Sequence, residues 1–459
     1  MAGAGDRSRK GDIALAPPTV KSPETVPAVE DRTYLAFMVS ALVIAVGLGF
    51  AFAIVIPLAA VDAIPGASRV PWLTQAHGWA QLQGWAGLFV AGMGIRIIPR
   101  FAGRRPIGRS ITLPLVTALA GSVIIRSVVQ PWARGSWGDE VLVAAGAVGG
   151  LGMLGVAAVL AVTLARTRRR GNPWELFAWA GTAWWAVWAI FTAVAPIRAA
   201  DNFGLTPGVL DDAMTWMVLL GAVGNFVWGV QSRSVPVFFG RKPPKARVII
   251  APLVLYNSGI VLVMLSLAEW SPATSARLEG AGLALAGFAS LVLAPLCGSI
   301  WGQAHRLRPR ARSASRFVIA GNIAGMTGGV LLLVAGIHTF AEGSIVSFHL
   351  RDAARHAFGV GLVTMLILGM AQLIAPVFAM SRAEDRGPSL PERLPFWLLI
   401  GAVVLRVGAG IVRETSDMDL LHHTIALAGT MAWLALLLFA IAVAQAIRRE
   451  PQMKALLAG

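Results

Sequence analysis

GMGIRIIPRFAG, residues 92–103, returns as GVQSRSVPVFFG at 229–240 and as GMAQLIAPVFAM at 369–380. Each copy sets a proline seven residues after its first glycine and a phenylalanine two residues further on. Pro99, Pro236 and Pro376 therefore fall about a third of the chain apart. Each copy closes a long apolar run without period-two alternation, which reads as helix and not strand. A second echo lies nearby: GSVIIR at 121–126 follows the first copy, and GAVVLR at 401–406 follows the third. Chance similarity among apolar segments is the competing reading. Matching spacing, order and helix end favour internal repeats.

Composition sets the solvent. Of 459 residues, 56% are hydrophobic and 14% charged, with a mean hydropathy of +0.69. A soluble chain would carry roughly a quarter charged residues, so the deficit points to lipid. One helix crosses a bilayer core with roughly 20 apolar residues. Twelve runs qualify, at 34–61, 77–101, 110–130, 139–165, 174–196, 211–238, 246–268, 278–303, 316–341, 352–380, 394–412 and 421–447. The expected fold is all-α and polytopic: about twelve transmembrane helices in three four-helix repeats, 34–170, 171–310 and 311–450. Residues 1–33, polar and without an apolar core, read as a disordered cytoplasmic tail and not a signal peptide. Residues 451–459 read as a second cytoplasmic tail.

The net charge of +16 would suit a nucleic acid, but the basic residues sit in short loops between apolar runs. Loops after even-numbered spans hold clusters, such as Arg100, Arg104, Arg105 and Arg109, or Arg306, Arg308, Arg310 and Arg312. Intervening loops hold about one each, such as Arg69 and Arg198. That alternation predicts cytoplasmic termini in an inner-membrane-type protein. The single cysteine, Cys297, excludes an internal disulfide or thiolate cluster.

Histidines are the most informative polar residues. Of seven, His305 falls in a basic loop. His77, His338, His349, His356, His422 and His423 all fall near the opposite ends of helices. His77 opens span 2 and His356 opens span 10, at equivalent places in two repeats, which favours the ligand reading for this pair. Met214 takes that place in span 6. Neutral imidazole ligates iron and copper well, although a lone interfacial histidine is equally accounted for by hydrogen bonding. Arg126 and Arg406 lie inside spans 3 and 11, which hold no Asp or Glu to pair with them. Such a residue is costly unless satisfied. Kinked-helix carbonyls or an anionic ligand such as a haem propionate would each serve. Carboxylates inside spans are scarce: Glu175, Asp211, Asp212, Glu269 and Glu279 sit at span ends, which argues against a proton-coupled carrier. Arg96 and Arg233, near the basic interface, read as snorkelling.

HGWAQLQGWAGLFVAGMGIRIIPRFAG (77–103) resembles the second helix of haem-copper oxidase subunit I, a superfamily of twelve helices in three four-helix arcs. The closer resemblance is to the NnrS family, haem- and copper-associated membrane proteins linked to nitric oxide. It is carried by HAFGVGLVTMLILGMAQLIAPVFAM from His356 and by the arginine-bearing helices three and eleven. It implies a haem held by His77 and His356, with Arg126 and Arg406 beside it. It also brings in copper, for which the outer-end histidines His338, His349, His422 and His423 are the remaining candidates. The expected surroundings are the lipid bilayer, with nitric oxide as partner. Two departures matter. TQAHG (74–78) keeps only His77 where NnrS proteins show His-Ala-His-Glu. Spans 6 and 7 lack the histidines of an oxidase binuclear centre, so a terminal oxidase is not expected. A transporter or a metal-free scaffold on the same fold is the alternative reading.

Overall fold

The computed structural model describes residues 33–132, 136–167, 171–239, 242–298, 307, 309–378, 388–416 and 418–458. Their regular structure is all helical. Twelve long helices follow one another: α1 (Thr33–Ala60), α2 (70–101), α3 (Arg109–Trp132), α4 (Ser136–Ala165), α5 (Pro173–Ala200), α6 (Gly208–Phe238), α7 (Ala246–Leu265), α8 (Pro272–Gly298), α9 (Pro309–Glu342), α10 (348–378), α11 (Leu390–Val412) and α12 (Asp419–Ala458). Eleven are long and apolar enough to cross a membrane, making this a polytopic helical membrane protein. The exception to the expected twelve is α2. It is as long as its neighbours, but Gln75, His77, Gln81 and Gln83 lower its hydropathy. Those side chains face protein: Gln83 is buried, and Gln75 bonds the backbone of Thr206.

Packing explains which helices tolerate polarity. α2 lies against α1 and α4, α6 against α5 and α8, and α10 against α9 and α12. α4 packs on α5, α8 on α9 and α12 on α1, which closes a ring around the three inner helices. Among the candidate spans, α6 and α10 have the most buried windows, 83% and 72%.

The inner helices share an irregularity that hydropathy does not reveal. Each switches to π-helix for eight residues: Ala80–Gly87 in α2, Met217–Gly224 in α6 and Ala357–Thr364 in α10. Each then resumes α-helix for fourteen residues, ending at Phe101, Phe238 and Phe378. The three π segments touch one another pairwise at the centre. Wide π turns are costly and cluster at functional sites. Here they are held by cross-links: Thr364 Oγ1 donates to Gly359 O (3.0 Å) and accepts from Trp85 Nε1 (2.9 Å), tying α10 to α2.

The repeated motif glycine has a packing reason. A Cβ on Gly92 would stand 2.6 Å from Phe37 Cβ, on Gly229 3.0 Å from Phe177 Cβ, and on Gly369 2.6 Å from Phe317 Cβ. Gly→Ala at 92 or 369 is therefore expected to destabilise by about 1–3 kcal/mol through overpacking. Gly121→Ala, where a Cβ meets nothing within 4 Å, should be silent apart from helix propensity. Thermal melts of the detergent-purified variants read the contrast; equal melting of all three would refute this packing account.

Candidate functional site

In the first half of α2, α6 and α10, successive turns surround a cavity of about 240 Å³ that α1, α11 and α12 complete. Its wall is mostly apolar, with His77, His356, Asp211, Asp352, Arg355 and Arg406 as its ionisable groups.

The two histidines converge here. Their rings are parallel within 11°, with centroids 6.5 Å apart. His77 Nδ1 lies 2.8 Å from Gly49 O, and His356 Nδ1 lies 2.8 Å from Asp352 O. A carbonyl oxygen only accepts, so both Nδ1 atoms carry the proton and each Nε2 keeps its lone pair. Backbone clamping of one ring nitrogen is how a metal-binding imidazole is oriented. A short π segment in α1, Ala45–Gly49, makes the Gly49 clamp available, because displaced carbonyls leave the regular helical ladder. Val46 O in the same segment accepts from Trp433 Nε1 of α12 at 2.9 Å.

The structure corrects the equivalence of the two histidines. His77 stands three residues before its π segment, as Met214 does in α6, whereas His356 stands immediately before its own. Ala354 is the true counterpart of His77, and Trp79 and Trp216 are the counterparts of His356. Two residues along a helix rotate the side chain by about 200°, which puts the second histidine on the flank facing the first. At the other inner-helix junctions the corresponding places hold buried Trp79, Met214, Trp216 and Ala354.

The arginines divide. Arg406 reaches the cavity and is ion-paired with Asp352 of α10, so its partner comes from a neighbouring helix rather than its own span. Asp352 also holds His356, through its backbone oxygen and through a carboxylate oxygen 3.4 Å from Nδ1. Arg126 does not line the cavity. It lies over the Trp79 ring at 3.8 Å and donates to Gln130 Oε1 and Thr206 Oγ1, both at 3.2 Å. Gln130 and Gln75 extend that network to the 204–206 loop. Arg96 and Arg233 stack on Tyr34 and Phe101 at 4.1 Å rather than snorkelling.

The remaining histidines stay apart from the pair. His338 bonds Ser347 Oγ at 2.9 Å, and His349 packs edge-on to Phe348. His423 is exposed and His422 half-buried on α12. His305 lies outside the described residues. Among the described residues no group of three or more His, Cys, Asp or Glu is placed to hold a metal ion, so the candidate copper ligands are not brought together.

Sequence reasoning missed the charges beside the cavity. HLRDAARH, 349–356, carries Arg351, Asp352, Arg355 and His356 over little more than one turn. Arg351, only 2% exposed, is ion-paired with Asp212 of α6 and Glu279 of α8, and Arg355 with Asp212. The i,i+4 spacing of 351/355 and 352/356 was the available signal, since it places an Arg/Arg pair and an Asp/His pair on adjacent flanks of one helix.

The chain matches no protein-family model and no curated protein.

The suitability of the cavity for haem rests on its residues. Two metal–nitrogen bonds of about 2 Å, with a ring radius on either side, would span about 6 Å between centroids if the two Nε2 atoms faced each other; the centroids are 6.5 Å apart. Gly78 and Gly359 line the wall, and a Cβ on either would meet nothing within 4 Å. Three buried donors of lining residues, Gln81 Nε2, Arg355 Nε and Arg406 Nη1, have no hydrogen-bond partner. Such orphaned donors suit an anionic ligand edge. The volume is below the roughly 300–1,000 Å³ of common ligand pockets, so a macrocycle would displace lining apolar side chains such as Leu82.

Proposed function

We propose that this chain is an NnrS-like haem-binding membrane protein, in which His77 and His356 would hold the iron of a single haem. The observation that carries this is the parallel imidazole pair with both Nδ1–H groups donated to backbone carbonyls. Bound there, the haem would supply an iron centre tuned by its ligands and by burial. The chain's own residues would do the rest. Arg406 and Arg355 would meet the carboxylates, with Asp352 holding Arg406 and His356 together. α1 and α12 would wall off lipid.

We further infer three four-helix units on an oxidase-type plan. The matched π segments, the three glycine–phenylalanine contacts and the ring of helix pairs support it. The link to nitric oxide rests on the motif resemblance, as does copper; the placement in a cell membrane with cytoplasmic termini rests on the loop charges. A terminal oxidase is disfavoured because α6 and α7 hold no histidine. The test is purification after haem-replete expression: about one haem iron per chain is expected, and the same metal analysis reads copper. Iron-free protein would defeat the proposal.

A further inference from the structure

The first turn of α6 separates the histidine cavity from a larger cleft: Asp211 lines the cavity, whereas Val209 and Leu210 line the cleft. That cleft, about 1140 Å³, lies between α5 and α7 and is bordered by the start of α8 and the 343–345 loop. Val194, Val261 and Leu265 line it and are exposed on membrane-crossing helices, so it opens to lipid. Its walls are fixed by two indoles. Trp184 Nε1 donates to Asn257 Oδ1 at 2.8 Å and joins α5 to α7, and Trp270 Nε1 donates to Leu265 O at 2.9 Å. Along α5 the lining runs from Trp184 to Arg198. Those fourteen residues rise about 21 Å, longer than one leaflet of a bilayer core of about 30 Å.

A buried carboxylate interrupts this apolar lining. Glu279 lines the cleft one turn after Ser275 on α8, so the two share a face. Arg351 holds Glu279 Oε1 and also pairs with Asp212, which pairs in turn with Arg355. Two carboxylates and two guanidinium groups leave that cluster electroneutral. A charged head group brought against Glu279 would unbalance it, with an uncompensated charge away from water. An ionised carboxylate only accepts hydrogen bonds, and more than one, whereas a serine hydroxyl donates or accepts. The head that matches both is an uncharged hydroxyl, which donates to Glu279 and exchanges a bond with Ser275. We propose that this cleft binds a membrane lipid with an uncharged hydroxyl head, the head on Glu279 and Ser275 and the chain along α5. An anionic lipid held by Arg198, which is exposed, would leave Glu279 without a donor from the ligand.

The test uses the purified full chain in lauryldimethylamine oxide, a detergent without hydroxyl groups. It is titrated with three probes that share one acyl chain: monoolein, methyl oleate and oleic acid. Native mass spectrometry and thermal melting read retention. Monoolein should bind about tenfold or more tighter than methyl oleate, which lacks the donor, and than oleic acid, which brings a charge. Ser275→Ala should weaken monoolein binding about fivefold. Val261→Trp, which fills the cleft from its lipid-facing wall, should abolish it. Equal retention of methyl oleate, equal or tighter retention of oleic acid, or undiminished monoolein binding in either variant would overturn the proposal. If Val261→Trp does not fold, Ser275→Ala and the three probes decide the question.

Discussion

His77→Ala and His356→Ala are each expected to cut haem retention at least tenfold while the protein still inserts and melts near wild type. Each imidazole bridges from a backbone carbonyl to the cavity, so removing one leaves a single axial ligand. Even the outer partners of a metal-binding histidine are worth about 10–100-fold in affinity. His338→Ala and His423→Ala, outside the cavity, should retain haem fully. Added imidazole should restore part of the binding to either cavity variant. Full occupancy in both cavity variants would remove the histidine pair from the account.

The second large effect concerns stability. Arg351→Met should destabilise the bundle by about 3–5 kcal/mol, because it strands the buried Glu279 carboxylate without its cation. Glu279 is only 4% exposed. Asp212 keeps Arg355 as a partner. Arg351→Met/Glu279→Gln should therefore recover much of the loss, since replacing both ends of a buried pair with neutral groups is often nearly neutral. Thermal melts and membrane yield read both variants. A melting point for Arg351→Met within a degree or two of wild type would show that the ion cluster does not lock α6, α8 and α10.

Most of the helical plan was readable because lipid imposes it: long apolar runs, few charges and basic loops on alternate sides. α2 was readable as a helix from its motif, but its hydropathy misleads because its polar side chains meet protein, not lipid. The π segments were invisible. AQLQGWAG, MVLLGAVG and AFGVGLVT share little more than small residues, and the wide turn arises from three helices meeting at one centre. The histidine pair was legible as residues, and its offset could be counted too, since the motif proline follows His77 by 22 residues and His356 by 20; what the sequence did not show is that the two rings meet in one cavity. Arg406 was singled out as needing a partner, with helix carbonyls and an anionic ligand both left open, and Asp352 went unseen because its partnership crosses from α11 to α10. Arg126 looked like its twin, yet Trp79 stands where α10 has His356, so the same guanidinium stacks on a ring instead of reaching the cavity.

The central claim is that one iron is held between two imidazoles. The spin state of the iron in the purified wild type, read by electron paramagnetic resonance and visible absorption, tests it most directly. A single low-spin, six-coordinate ferric haem per chain, converted to high spin or lost in His77→Ala and in His356→Ala, is the predicted result. A high-spin five-coordinate haem in the wild type, or no haem after haem-replete expression, would contradict it.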